Sequence, residues 1–258
     1  MGTLAEDLEF VKDLAREAAE EARRRAASIR PQEKPNRTYV TDLDHDLERM
    51  IRDRLAARFP DDQLTGEEFA AGGGRGKRRW SIDPIDGTGN LVHQLPLWAV
   101  SIGLIDDGEP VLGVIAIPPL NELFWATRGG GAYRDGERLH ARDGARIHNQ
   151  DNIALGTNAL RSVDPRSLPG RLRDLGSACT ELAFTACSRL ASTTSLGEQT
   201  HDLAAGAVIT SEAGCQFATI DGRHLTAAEF VGEAPVQVPT FTAPPRRLAA
   251  LLAVAKRY

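Results

Sequence analysis

The chain has 258 residues, 41% of them apolar, a formal net charge of −5 and three cysteines. That supplies ample material for a buried core and a length that suits one large domain or two packed ones. The mild acidity and the lack of a basic stripe argue against a nucleic-acid partner, so a small anionic substrate would need a local positive feature such as a bound cation. Cys179, Cys187 and Cys215 fit neither a disulfide framework nor a zinc site and read as reduced thiols of a cytoplasmic protein. The acidic N-terminus does not read as a signal peptide, and no apolar run is long enough to span a bilayer, so a membrane partner is not expected.

Residues 4–29 place Leu4, Leu8, Val11, Leu14, Ala15 and Ala18 at three- and four-residue spacing, which predicts a long amphipathic helix. Its Glu/Arg-rich second half reads as a solvated face. Pro31 and Pro35 break the chain. A second helix is expected from Thr41 or Asp42, either of which can cap it, with Leu43, Leu47, Met50, Ile51 and Leu55 as the buried stripe. The Gly-rich, charged stretch beyond Phe59 reads as a mobile loop. Residues 79–83, 98–105, 111–117, 122–127 and 131–134 read as strands, the second and third joined through the turn Asp106-Asp107-Gly108. From Asn152 the rhythm alternates, with strands at 153–156, 215–220 and 236–241 and helices at 165–175, 178–190, 202–213 and 245–257. The change of rhythm places a boundary near residue 145. It gives an N-terminal α+β half over 1–145 and a C-terminal α/β half over 146–258.

The densest chemical signal is WSIDPIDGTGN at 80–90. Asp83 is expected to end a strand, with Pro84 stopping it. Asp86 follows three residues later, across a tight turn. Two carboxylates that close repel unless a cation lies between them, and hard oxygen ligands suit Mg²⁺ rather than zinc. Gly87-Thr88-Gly89 can present successive N–H groups to an anion. The Thr88 hydroxyl can hold a water. Taken alone, the motif is also compatible with an Asp-rich surface turn, Asp44 with an early-turn carboxylate, and Asp202 with a helix cap.

These residues do not stand alone. VTDLDHDLE at 40–48, GEEF at 66–69, WSIDPIDGTGNLVHQLP at 80–96, AVSIGLI at 99–105, GSA at 176–178 and HDLAAGAVITSEAGC at 201–215 follow one another in the order of the inositol monophosphatase family. The chain resembles that family over nearly its whole length. The resemblance implies a layered αβαβα sandwich of α+β class and a homodimer. It implies Glu67, Asp83 and the carbonyl of Ile85 as ligands of one Mg²⁺, and Asp83, Asp86 and Asp202 as ligands of a second, with a weaker third site. It implies that the Gly87 and Thr88 amides hold phosphate. Thr88 paired with Asp44, together with Glu67, would orient and activate the attacking water.

Two positions depart from the family pattern. His201 stands where a Trp commonly precedes the last metal Asp, and Ser195 stands where inositol-phosphate hydrolysing members carry a Glu. Both fall where the alcohol half of the substrate is expected, so Ser195 and His201 are candidate substrate contacts. KPNRTYVTDLD at 34–44, LPLWA at 95–99 and GVIAIPPLNELFWATRGGGAY at 113–133 look like the histidinol-phosphatase branch of the same superfamily, while GSACTEL at 176–182 looks like the inositol-phosphate branch. The expected activity is Mg²⁺-dependent hydrolysis of a small phosphate monoester. The alternatives are a histidinol-phosphate phosphatase, a phosphatase of a specialised sugar or cyclitol pathway and, more remotely, a non-catalytic binding protein on the same fold.

Overall fold

The computed structural model describes residues 3–35 and 38–258. Asn36 and Arg37, part of the histidinol-phosphatase-like segment at 34–44, lie outside the described residues. The first helix, Leu4–Arg25, opens with a capping box between Thr3 and Glu6 and buries Val11, Leu14, Ala15 and Ala18. A single 3-10 turn, Ala26–Ser28, follows it. Pro31–Glu33 and Tyr39–Thr41 pair as a short hairpin where the prolines suggested only a break. The second helix, Asp42–Arg58, is capped by Thr41.

Both helices lie on one face of an eight-stranded sheet, where their apolar stripes bury Trp80, Ile82, Val100, Ile102 and Leu112. All the strands between Gln63 and Arg138 belong to this sheet. It is antiparallel except that Gln63–Gly66 runs parallel to Arg78–Asp86. The 66–79 stretch read as a loop therefore contributes a short edge strand, Gly72–Gly73, which pairs with Gln63–Gly66 just before it. Ala99–Asp106 and Glu109–Ile117 form the expected hairpin, turned through Asp107 and Gly108 at positive φ.

Helices Ala178–Ala186 and Thr200–Glu212 cover the other face of the sheet. Gly103 and Gly113, paired on adjacent strands, let Thr200–Glu212 approach closely: a Cβ at Gly113 would lie 2.3 Å from the carbonyl oxygen of Ala205. A four-stranded sheet, Thr193–Ser195, Thr240–Ala243, Gln216–Thr219 and His224–Leu225 in spatial order, forms the next layer. The closing helix Pro245–Leu252 packs on it through Leu248 and Leu251. The order of layers is the expected αβαβα.

Several elements differ from expectation. Residues 165–175 hold a 3-10 turn, Pro165–Ser167, and a strand, Arg171–Arg173, that pairs in parallel with Asn152–Ala154. Pro169-Gly170 lies between them and denies a helix both an amide donor and backbone restraint. The helix expected at 178–190 ends at Ala186, because Ser188 sits at φ 65. The last strand is Thr240–Ala243 rather than 236–241, displaced past Pro239.

Candidate active site

Pro84 does not end its strand. Arg78–Asp86 continues through it, with Asp83 opposite Ser101 and Asp86 opposite Ala99, so the strand gains one residue in a bulge at Pro84-Ile85. In a regular strand, residues three apart face opposite sides. The extra residue restores the parity. Ile82 and Ile85 both join the core under the first two helices, while Asp83 and Asp86 both turn to the opposite face.

The N-termini of four helices meet these carboxylates. Asp44, the third residue of Asp42–Arg58, accepts the Thr41 amide at 2.9 Å and the Thr88 hydroxyl at 3.0 Å. Gly87, in the left-handed region at φ 88, caps the short helix Thr88–Val92. Asp86 accepts the hydroxyl of Ser177 and the amides of Ala178 and Cys179, at 3.2 and 2.8 Å, at the head of Ala178–Ala186. Asp202 closes a capping box with Gln199 at the head of Thr200–Glu212, accepting the Gln199 amide at 2.6 Å. Helix N-termini carry partial positive charge and unpaired amides, so they offset this density of negative charge and favour an incoming anion.

The offset is incomplete. Asp83 is almost fully buried, and its pKa is pushed well above the ordinary carboxylate value by burial and then by the charges of Asp86, Glu67, Asp202 and Asp44. Asp86 is raised to about 7 by burial and by Asp202, against its hydrogen bonds. Asp202 and Asp44 are also raised, burial being the leading cause in each. Glu67 is partly exposed, and the Lys34 ammonium reaches it at 2.9 Å and Glu68 at 2.7 Å. One ligand atom each from Glu67, Asp83 and His201 lies within 4.8 Å of the others, and the same holds for Asp83, Asp86 and Cys179. Buried, mutually repelling carboxylates at ligand spacing are the donor set a hard divalent cation needs.

Thr88 has one hydroxyl hydrogen and two acceptors at 3.0 Å, Asp44 Oδ1 and the carbonyl of Ile85. Ser195 is buried at the end of Thr193–Ser195, opposite Thr240. His201 lies beside Asp202 with its side chain 14% exposed. The structure thus brings Asp44, Glu67, Asp83, Ile85, Asp86, Gly87, Thr88, His201 and Asp202 into one locus, and puts Ser195 on a neighbouring strand of the second sheet.

Residue-by-residue reading missed several supports. Lys34 pairs with Glu67 from the first hairpin. Glu48, fully buried and held by Arg52 at 3.0 Å, accepts the amides of Glu68 and Phe69 and so fixes the turn that carries Glu67. Asn90 donates its amide to the carbonyls of Leu97 and Leu175 and ties the Thr88–Val92 helix to the 174–177 turn. Glu181 accepts the Leu175 amide at 3.0 Å and the Thr193 hydroxyl at 2.8 Å, and burial raises it to about 8. Glu48, Asn90 and Glu181 all lie inside the motifs quoted above. Their neighbourhood was therefore legible, but their partners were not.

A sandwich of this topology with a buried carboxylate cluster at its helix N-termini belongs to a class of phosphoric monoester hydrolases. The model of the inositol monophosphatase family matches residues 3–255, and the chain belongs to that family, whose members are metal-dependent phosphatases. A Thermotoga maritima protein named fructose-1,6-bisphosphatase/inositol-1-monophosphatase is 33% identical over 193 residues, 73% of this chain and 74% of that protein. A Mycobacterium tuberculosis histidinol-phosphatase is 42% identical over 139 residues, about half of each chain (52% and 54%). Among solved structures, a Thermotoga maritima IMPase superposes with a TM-score of 0.84 at 28% identity, covering 96% of both chains. The three cysteines are free, as expected. Among the described residues no helix is long and apolar enough to cross a membrane.

Proposed function

We propose that this chain hydrolyses a small phosphate monoester, an inositol, sugar or other polyol phosphate, with Mg²⁺ as the working ion at two or three positions. The observation that supports this best is the bulge that turns Asp83 and Asp86 to one face, where Glu67 and Asp202 meet them beside the Thr88–Asp44 pair. Glu67, Asp83 and the Ile85 carbonyl would hold one cation, and Asp83, Asp86 and Asp202 another. When bound, these ions supply a water of lowered pKa and offset the charge of the phosphate.

The chain's own groups do the rest. The Gly87 and Thr88 amides bind a phosphate oxygen in the left-handed turn that opens the Thr88–Val92 helix. With the Ile85 carbonyl engaged as a ligand, the Thr88 hydrogen is left to Asp44, and the Thr88 oxygen presents its lone pairs to the attacking water. Asp44 accepts the proton through Thr88, helped by the burial that raises its pKa. Glu67 orients the same water. Phosphoryl transfer needs positioning and charge rather than a covalent intermediate, and the site offers both.

On this reading residues 1–145 supply most of the ligands, and 146–258 supply Asp202 and the alcohol-facing groups Ser195 and His201. The protein would act in the cytoplasm as a homodimer. A histidinol phosphate remains the second candidate substrate, because the 42% identical relative carries that activity in its name. The test is phosphate release by EDTA-treated protein across sugar, polyol and histidinol phosphates. Activity restored by Mg²⁺ on at least one class is expected, and none on any class would refute the proposal.

A further inference from the structure

Two triples of ligand atoms share Asp83, and each adds a donor softer than oxygen: His201 in one, Cys179 in the other. The two donors are held differently. The Cys179 thiol is fully buried and donates to the Asp202 carbonyl at 3.2 Å, so its hydrogen is engaged within the helix packing. The His201 ring forms no hydrogen bond among the described residues. Its Nε2 is 3.6 Å from Asp202 Oδ1, beyond hydrogen-bonding distance. Yet one of its nitrogens lies within 4.8 Å of carboxylate oxygens of both Glu67 and Asp83. An ion pair with Asp202 alone would not require that second proximity.

We propose that His201 is a metal ligand: a ring nitrogen joins Glu67 and Asp83 on one cation and biases that position toward borderline divalent ions such as Mn²⁺ over Mg²⁺. Mg²⁺ demands near-ideal octahedral oxygen coordination and parts reluctantly with its waters. Imidazole suits later first-row ions, and a mixed oxygen–nitrogen set gains affinity for them without excluding Mg²⁺ at working concentration. Binding takes the neutral ring, so any proton on the coordinating nitrogen is released to solvent. His201 can still border the alcohol half of a substrate, because only one ring nitrogen is used.

The inference rests on reading Glu67 and Asp83 as ligands. Its test is therefore binding without turnover: Mn²⁺ is added to metal-free, full-length protein and followed by electron paramagnetic resonance. Electron spin-echo modulation from a directly bound nitrogen is expected in the wild type. It should be lost in His201→Phe, where competition with Mg²⁺ should show the preference for Mn²⁺ falling by about tenfold or more. Bound Mn²⁺ without nitrogen modulation in the wild type would overturn the role of His201 and leave the phosphatase reading intact, and this outcome does not depend on the variant folding. No protein-bound Mn²⁺ at all would overturn both.

Discussion

A methyl group on Gly87 should damage both stability and turnover. Gly87 sits at φ 88 and ψ 37. An L side chain in the left-handed region costs about 1–2 kcal/mol. The added Cβ would lie 3.0 Å from the Gly176 carbonyl and 3.1 Å from both the Leu97 carbonyl and the Ser177 Cβ. These neighbours are not free to retreat, because Asn90 holds the Leu97 and Leu175 carbonyls on either side of the turn. Overpacking of this kind adds about 1–3 kcal/mol. The expected total is about 2–5 kcal/mol, which in a chain of this size lowers the melting temperature by about 4–20 °C. Displacing the Gly87 and Thr88 amides, proposed to bind phosphate, by a substantial fraction of an ångström should cost about a hundredfold in kcat/KM. Gly89 is the stability control, since its Cβ would meet nothing within 4 Å. Thermal melts of Gly87→Ala and Gly89→Ala, with steady-state kinetics of the first, give the result. If Gly87→Ala melts and turns over like the wild type, the close approach of the 174–177 turn to this loop is not a feature of the protein.

Three further outcomes are expected. Thr88→Val removes the hydroxyl shared by Asp44 and Ile85; it should lower kcat by about 10²–10⁴-fold, with a smaller effect on KM, and equal loss in both would argue against a role in orienting the water. Asp202→Asn relieves like-charge repulsion at a carboxylate whose pKa burial raises, so the metal-free variant should melt no lower than wild type. It should also lose the rise seen on adding Mg²⁺, which for a tight ion at a hundred times its Kd is about 2.7 kcal/mol. Glu181 is raised from 4.5 to about 8, so the folded protein keeps its proton where the unfolded chain has lost it. Its contribution to stability is therefore full below 4.5, falls as pH climbs, and is gone above about 8. Gln is neutral at every pH, so denaturant melts of wild type and Glu181→Gln should agree below 4.5 and separate as pH climbs to about 8, with the wild type losing stability relative to the variant, and parallel curves would contradict the assignment.

The sequence by itself determined the family, the layered fold class and the identities of the candidate ligands, because each is written in local pattern. Apolar residues at helical spacing gave the first two helices. A turn tripeptide gave the central hairpin, and carboxylates beside Gly87-Thr88 gave a chemistry. It misplaced elements where a short proline-glycine break outweighed a helical composition, as at 165–175. Only the tertiary structure decided how the site is assembled. Asp83 and Asp86 face the same side because a bulge at Pro84-Ile85 corrects their parity, and a bulge is defined by pairing with a partner strand rather than by the strand's own residues. Asp44, Asp86 and Asp202 are tolerated together because helix N-termini distant in sequence converge on them. Glu48, Asn90, Glu181 and Lys34 act through partners up to 85 residues away, such as Leu97 and Leu175 for Asn90. The loop 83–90 names the reaction class. The packing of the second sheet and of Thr200–Glu212 decides what stands around it, because the identity of a neighbour across a fold is a property of three-dimensional closure that local spacing does not encode.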